Sequence, residues 1–160
     1  MGIPAILKRR MYSLSGTYNR CWRCGVRVFI LGCGRVGARA AAALSPTHRV
    51  TIMDSREASF DRLPASFSGS TFVGNGIDED DLRAANVGDA DAFIAVTNGD
   101  NRNLMSAQIA RELGVRQVIA RVYDPVRCQI FAESGVTTIS PTVTGAQALF
   151  DLVVAEDRGD

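Results

Sequence analysis

The sequence is nearly empty of the side chains that usually do acid–base work. It holds one histidine, His48, and one lysine, Lys8, among 160 residues. Neither is placed where a strand would end at a ligand crevice. An oxidoreductase needs such a group near its reacting carbon, and a substrate-binding region besides. Tyr123 is the single candidate left in range. Charge of one sign is also lacking: the net charge is +1, so no global field draws in nucleic acid or an anionic membrane. No apolar run approaches the roughly 20 residues of a membrane span, which excludes direct membrane insertion by a helix. The four cysteines do not suggest a secreted disulfide framework. Cys21 and Cys24 form a C-x-x-C, but no second pair accompanies it, as a zinc site would want. It also precedes the first strand, where a thioredoxin-like pair would follow one. Two incidental thiols are the simpler reading. There is no internal repeat and no low-complexity segment.

What is present is an ordinary globular composition, 46% hydrophobic and 22% charged, in a length that suits one domain with a real core. Residues 1–24 stand apart, with Lys8, Arg9, Arg10, Arg20 and Arg23, no acid and no sustained period. Their apolar residues come before the Arg pair, the wrong order for a signal peptide. A disordered leader, upstream sequence from an early start codon and an organelle transit peptide all remain open. Residues 25–155 are expected to form the domain, and 156–160 a polar tail.

The strongest local pattern lies at residues 26–54. Val26, Val28, Phe29, Ile30 and Leu31 read as a buried strand. G-x-G-x-x-G follows at Gly32, Gly34 and Gly37, with Cys33, Arg35 and Val36 between, and an alanine-rich helix after it. The second strand ends in Asp54, roughly 20 residues on, the offset of a ribose-binding carboxylate. Gly32 permits the tight turn, Gly34 lets the main chain approach a pyrophosphate, and Gly37 lets helix pack on sheet. The helix N-terminus then faces the phosphates.

From there strand and helix alternate. Strands are expected at 26–31, 48–53, 71–73, 92–96, 117–122 and 136–139. Helices are expected at 35–45, 56–63, from 78, 101–113, from 125, and 143–155. The helix from 125 should bury Val126, Ile130 and Phe131, and Cys128 should be a helix core residue. Six strands with intervening helices make an α/β, Rossmann-like, doubly wound parallel sheet of order 3-2-1-4-5-6. Its ligand belongs at the switch point beyond strands one and four.

The strand ends hold the polar candidates. Arg35 inside the loop either contacts phosphate, which a guanidinium suits, or is a solvated surface residue. Asp54 favours an unphosphorylated ribose, hence NAD(H), ADP or ATP over NADP, with Arg56 nearby. Asn75 either meets an adenine edge or is a turn residue with positive φ. Asp100 and Asn103 are either helix-start polar groups or line the crevice floor. Arg121, closing an apolar strand, wants a phosphate or a carboxylate.

Taken together, Gly32-Cys33-Gly34-Arg35-Val36-Gly37, Asp54, Gly74-Asn75-Gly76, Asp89-Ala90-Asp91-Ala92, Thr97-Asn98-Gly99-Asp100-Asn101-Arg102-Asn103, Ile119-Ala120-Arg121-Val122 and Gly135-Val136 resemble the TrkA-N (RCK N-terminal) domain over roughly residues 26–150. The resemblance implies a cytosolic regulatory domain that binds NAD(H) or ATP/ADP, pairs into a homodimer or higher ring, and gates a membrane-embedded potassium transporter or channel subunit. Such a domain sits peripherally at the inner face of the plasma membrane through its partner, and binds no nucleic acid. By motif, Gly32, Cys33, Gly34, Arg35, Val36 and Gly37 would hold phosphates and Asp54 with Ser55 the ribose. Asn75 and Gly76 would border the adenine. Thr97, Asn98, Asp100, Asn103 and Arg121 would line the remaining crevice. Asn75 stands where the family commonly has Asp. The C-terminal ligand-binding domain that usually follows does not appear, so the chain reads as a stand-alone half, a fragment, or a subunit relying on another protein. A small NAD-dependent oxidoreductase is the competing reading, weakened by the missing acid–base group and substrate region.

Overall fold

The computed structural model describes residues 25–156, so the C-x-x-C pair, the rest of the basic leader and the end of the polar tail lie outside it. Six parallel strands form one sheet: β1 (Arg27–Leu31), β2 (Arg49–Asp54), β3 (Ser70–Val73), β4 (Ala92–Ala95), β5 (Gln117–Arg121) and β6 (Thr137–Ile139). Their spatial order is β3-β2-β1-β4-β5-β6, the expected one. The chain runs outward from β1 to β3, returns to β4 beside β1, and runs outward again. Leu31 pairs with Met53 on one side and Ala95 on the other, so three strand ends lie level at the switch point.

Alternation along β1 sends its side chains to opposite faces. Phe29 and Leu31 join one core with Phe93, Leu104, Ala107 and Val118. Val28 and Ile30 join the other with Ala38, Ala41, Val50 and Ile52. Phe29 and Phe93 are register partners and stack with centroids 5.7 Å apart. A sheet covered on both faces explains why these strands read as unbroken apolar runs.

The helices are α1 (Arg35–Leu44), α2 (Glu79–Ala84), α3 (Asp100–Glu112), α4 (Pro125–Ala132) and α5 (Pro141–Glu156). The helix expected at 56–63 is instead a 3-10 helix, Glu57–Arg62. The one expected from 78 is shorter than its apolar positions suggested. Asp78 caps it by accepting from the Asp80 and Asp81 amides, but Asn86 adopts a left-handed conformation (φ 56°), and Val87 falls in a separate 3-10 turn. The last helix starts at Pro141, where the missing N–H is harmless.

The expected inner face of α4 needs correction. Phe131 is half-buried, but Val126 and Ile130 are 64% and 63% exposed. Cys128 and Phe131, also expected inward, do pack on the core. The helix is therefore rotated so that its most apolar stripe faces away from the sheet.

Candidate functional site

The carboxyl ends of the strands open into one cavity of about 830 Å³, within the size range of small-molecule sites. It spans the switch point, from the segment after β2 to the end of β5.

The glycine loop forms its rim. Gly32 has φ +102°, and its amide donates to the Met53 carbonyl at 2.7 Å. A Cβ at Gly37 would stand 1.8 Å from the Gly32 carbonyl oxygen, so this glycine is required by the packing of α1 on the loop. Gly34 differs: a Cβ there would meet nothing within 4 Å. Its φ of −82° suits any residue. Neither protein packing nor backbone conformation demands glycine at 34, and the open space lies where a bound group would approach the main chain.

Asp54 ties the end of β2 to that loop. Its Oδ2 accepts from the Cys33 amide at 2.8 Å; its Oδ1 accepts from the Arg56 amide at 3.1 Å and the Ser59 hydroxyl at 3.0 Å. One oxygen is thus filled and the other keeps an acceptor position. Cys33 is buried beside it, and burial, reinforced by the Asp54 charge, pushes its thiol pKa up, with Arg62 opposing. That thiol is held protonated, the opposite of a reactive cysteine.

Among the expected residues, Gly32, Cys33, Gly34, Arg35, Val36, Asp54, Ser55, Asn75, Gly76, Thr97, Asn98 and Arg121 line the cavity. Gly37, Asp100 and Asn103 do not. Asn103 is fully buried. Its Oδ1 accepts from the Thr97 amide and hydroxyl at 2.8 and 2.7 Å, and its Nδ2 donates to the Thr97 and Arg121 carbonyls at 3.0 and 2.8 Å. It joins α3 to the ends of β4 and β5 as a structural clamp. The Asp100 carboxylate accepts from the Tyr123 and Asp124 amides, holding the turn after β5. Neither side chain is turned to the cavity, because backbone groups at and just after the strand ends take up its hydrogen-bonding capacity. Asn75 is not in the left-handed region. It shapes its loop: its amide donates to Asp81 at 2.7 Å.

The cavity also recruits residues that local pattern did not single out. Ser59 and Arg62 come from the 3-10 helix and Pro141 from the start of α5, while Arg102, inside the Thr97–Asn103 stretch expected at the crevice, comes from the first turn of α3. With Arg35, Arg56 and Arg121 this makes five guanidiniums against one carboxylate. Arg121 donates to the Thr97 carbonyl at 2.5 Å and lies 4.8 Å from the Tyr123 ring centroid. Its Nε is buried without a partner. Five guanidiniums, four of them on exposed side chains, give the wall beside the glycine loop a cationic character.

Comparison with known proteins agrees with this geometry. A model of the TrkA-N domain matches residues 28–141. The Trk system potassium uptake protein TrkA of Streptomyces coelicolor is 44% identical over 117 residues, covering 72% of this chain and 52% of that protein. The chain therefore spans about half the length of this curated relative. Among solved structures, the GsuK RCK domain superposes with a TM-score of 0.70 at 25% identity, over 83% of this chain and 29% of that one. The Kef CTD of Shewanella denitrificans, solved in an AMP-bound form, gives 0.63 at 23% identity, over 84% and 89%. The last likeness is one of fold.

Proposed function

The chain belongs to the TrkA-N domain family, and from that premise we propose that it is the nucleotide-responsive regulatory part of a potassium-transport system. It binds NAD(H) or ATP/ADP in the crevice and pairs with further copies as a homodimer or larger ring. Through that assembly it acts on a membrane-embedded potassium transporter or channel subunit from the cytoplasmic side. Residues 25–155 are the unit that does this. The TrkA relative is a potassium uptake protein by name. Among the described residues no helix is long and apolar enough to cross a membrane, which suits a peripheral role.

The observation that carries the reading is the cavity itself. A glycine loop, an acid hydrogen-bonded to that loop and five guanidiniums meet at the switch point of a parallel sheet. Gly32, Gly34 and Arg35 would take phosphates, Asp54 with Ser55 the ribose through the free acceptor position, and Asn75 and Gly76 the adenine border. Thr97, Asn98 and Arg121 would line the rest. The nucleotide acts as a signal and not as a reactant. Among the described residues the lining offers no histidine or lysine, Cys33 is held protonated, and Tyr123 lies against a guanidinium.

Calorimetric titration of the purified chain with NAD, NADH, ATP and ADP tests the binding. A saturable heat is expected, and flat titrations with all four would sink the reading. Light scattering should show a dimer or larger, and a strict monomer with nucleotide present counts against a ring. Substrate-dependent turnover of NADH would favour an oxidoreductase instead.

A further inference from the structure

We propose that Asn98 is a self-modifying site, at which the fold lets the Gly99 backbone nitrogen displace the side-chain amide and leave a carboxylate beside Arg102. The chemistry stands apart from the nucleotide reading above. Only its effect on ligand affinity rests on that reading.

The described residues hold two Asn–Gly pairs, Asn75-Gly76 and Asn98-Gly99, and both asparagines are exposed on the crevice wall. A glycine after asparagine has no Cβ to shield its nitrogen and turns freely, so that nitrogen can reach the asparagine Cγ. The attack joins the glycine nitrogen to Cγ, breaks the bond from Cγ to the side-chain nitrogen and releases ammonia. The glycine amide proton leaves through solvent with that ammonia. Water then opens the five-membered imide at one of its two carbonyls. The product is aspartate, or isoaspartate with the main chain routed through Cβ. No oxidant or further reactant is consumed.

The fold holds the two pairs differently. The Asn75 amide donates to Asp81 at 2.7 Å, and its carbonyl accepts from the Asp78 amide at 2.9 Å. Gly76 is buried, with Leu31 packed so closely that a Cβ would stand 2.3 Å from it. Turning that peptide toward Cγ breaks both bonds and disturbs the contact with Leu31. Among the described residues, the Asn98–Gly99 peptide is held by one long contact, from the Gly99 amide to the Thr97 hydroxyl at 3.4 Å. A Cβ at Gly99 would meet only the Arg102 Cβ, at 3.8 Å. The Asn98 side-chain oxygen accepts from the Arg102 guanidinium at 3.3 Å. A cation there favours the negative charge that gathers on that oxygen as the nitrogen adds. At Asn75 the corresponding donor is the neutral Ile77 amide at 3.4 Å. The product is also favoured at 98. A carboxylate there lies four residues before Arg102 and just ahead of the first turn of α3, where it meets a guanidinium and the positive end of the helix.

The test incubates the purified chain at mildly alkaline pH, in buffer and in urea, and follows both asparagines by peptide mass spectrometry. In urea the two should convert at similar rates. In buffer Asn98 should convert about tenfold faster than Asn75, which must first give up two hydrogen bonds. Arg102→Gln should slow Asn98 about threefold, the worth of an exposed charged contact, and leave Asn75 unchanged. Asn98→Asp carries the product charge from the outset. It should melt as the parent does and bind ATP more weakly. Equal rates in buffer, or faster conversion of Asn75, overturn the proposal. So does an Asn98 that stays intact in buffer for as long as it takes to convert fully in urea. An unchanged rate in Arg102→Gln overturns the part given to Arg102. Unchanged ATP affinity in Asn98→Asp overturns the effect on the ligand, whereas no ATP binding by parent or variant overturns the nucleotide reading alone.

Discussion

The helices α3 and α5 end in surroundings opposite to their compositions. The inward face of α3 carries Asn103 and Ser106, both fully buried, beside Leu104, Ala107 and Ala110. The far more apolar α5 leaves Leu149, Phe150, Leu152 and Val153 at 62–72% exposure. Burial here follows what the chain crossover lays a helix against, and not how apolar the helix is. The α3 helix is laid across β4 and β5, so even its amide and hydroxyl are enclosed and must find partners. Among the described residues nothing of that kind covers α5.

The contrast can be broken or sharpened by substitution. The largest effect belongs to the sheet under α3. Phe93→Ala empties a fully enclosed ring position and should lower unfolding free energy by about 4 kcal/mol in chemical denaturation. A loss under about 1 kcal/mol would mean that the α3 side is loosely packed. Next comes Asn103→Ala. It removes four hydrogen bonds and leaves buried groups at Thr97 and Arg121 unpaired, so a loss of about 2–3 kcal/mol is expected. Were Asn103 a ligand-facing residue instead, the variant would keep its stability and lose nucleotide.

Arg35→Ala should leave the melting temperature unchanged. It should weaken ATP about tenfold, equivalent to about 1.4 kcal/mol, and adenosine hardly at all. Equal ATP affinity in variant and parent would show that Arg35 serves only solvent. The smallest effect is expected on α5. Phe150→Ser should shift stability by less than about 0.5 kcal/mol in the monomer, as exposed positions do. A loss comparable to that of Phe93→Ala, measured in the same denaturant, would show that α5 is covered after all.

How much of this was legible beforehand follows the same division. Strand order, the glycine loop and Asp54 could be read because each rests on local spacing: apolar run, turn, helix, apolar run, acid. The cation cluster could not. Arg62 and Arg102 lie 40 residues apart on different elements, and only the closure of the sheet brings both to one cavity. Asn103 was ambiguous for a related reason, since an amide in a helix's first turn suits a ligand or a neighbouring strand end equally well. On α4, Val126 and Ile130 have the spacing of a buried stripe, yet spacing identifies a stripe without saying which way the helix is turned.

The Asn103 clamp also bears on which parts of the chain can move independently. One side chain fastens the Thr97 and Arg121 backbones to α3, so the ends of β4 and β5 and that helix must shift together or stay still. Beyond Asp124, α4 and β6 hang on fewer enclosed groups. A disturbance arriving at α5 can therefore be absorbed without reshaping the crevice floor. In hydrogen exchange, the Thr97 and Asn103 amides should be among the slowest, and residues 137–139 among the fastest of the strand amides.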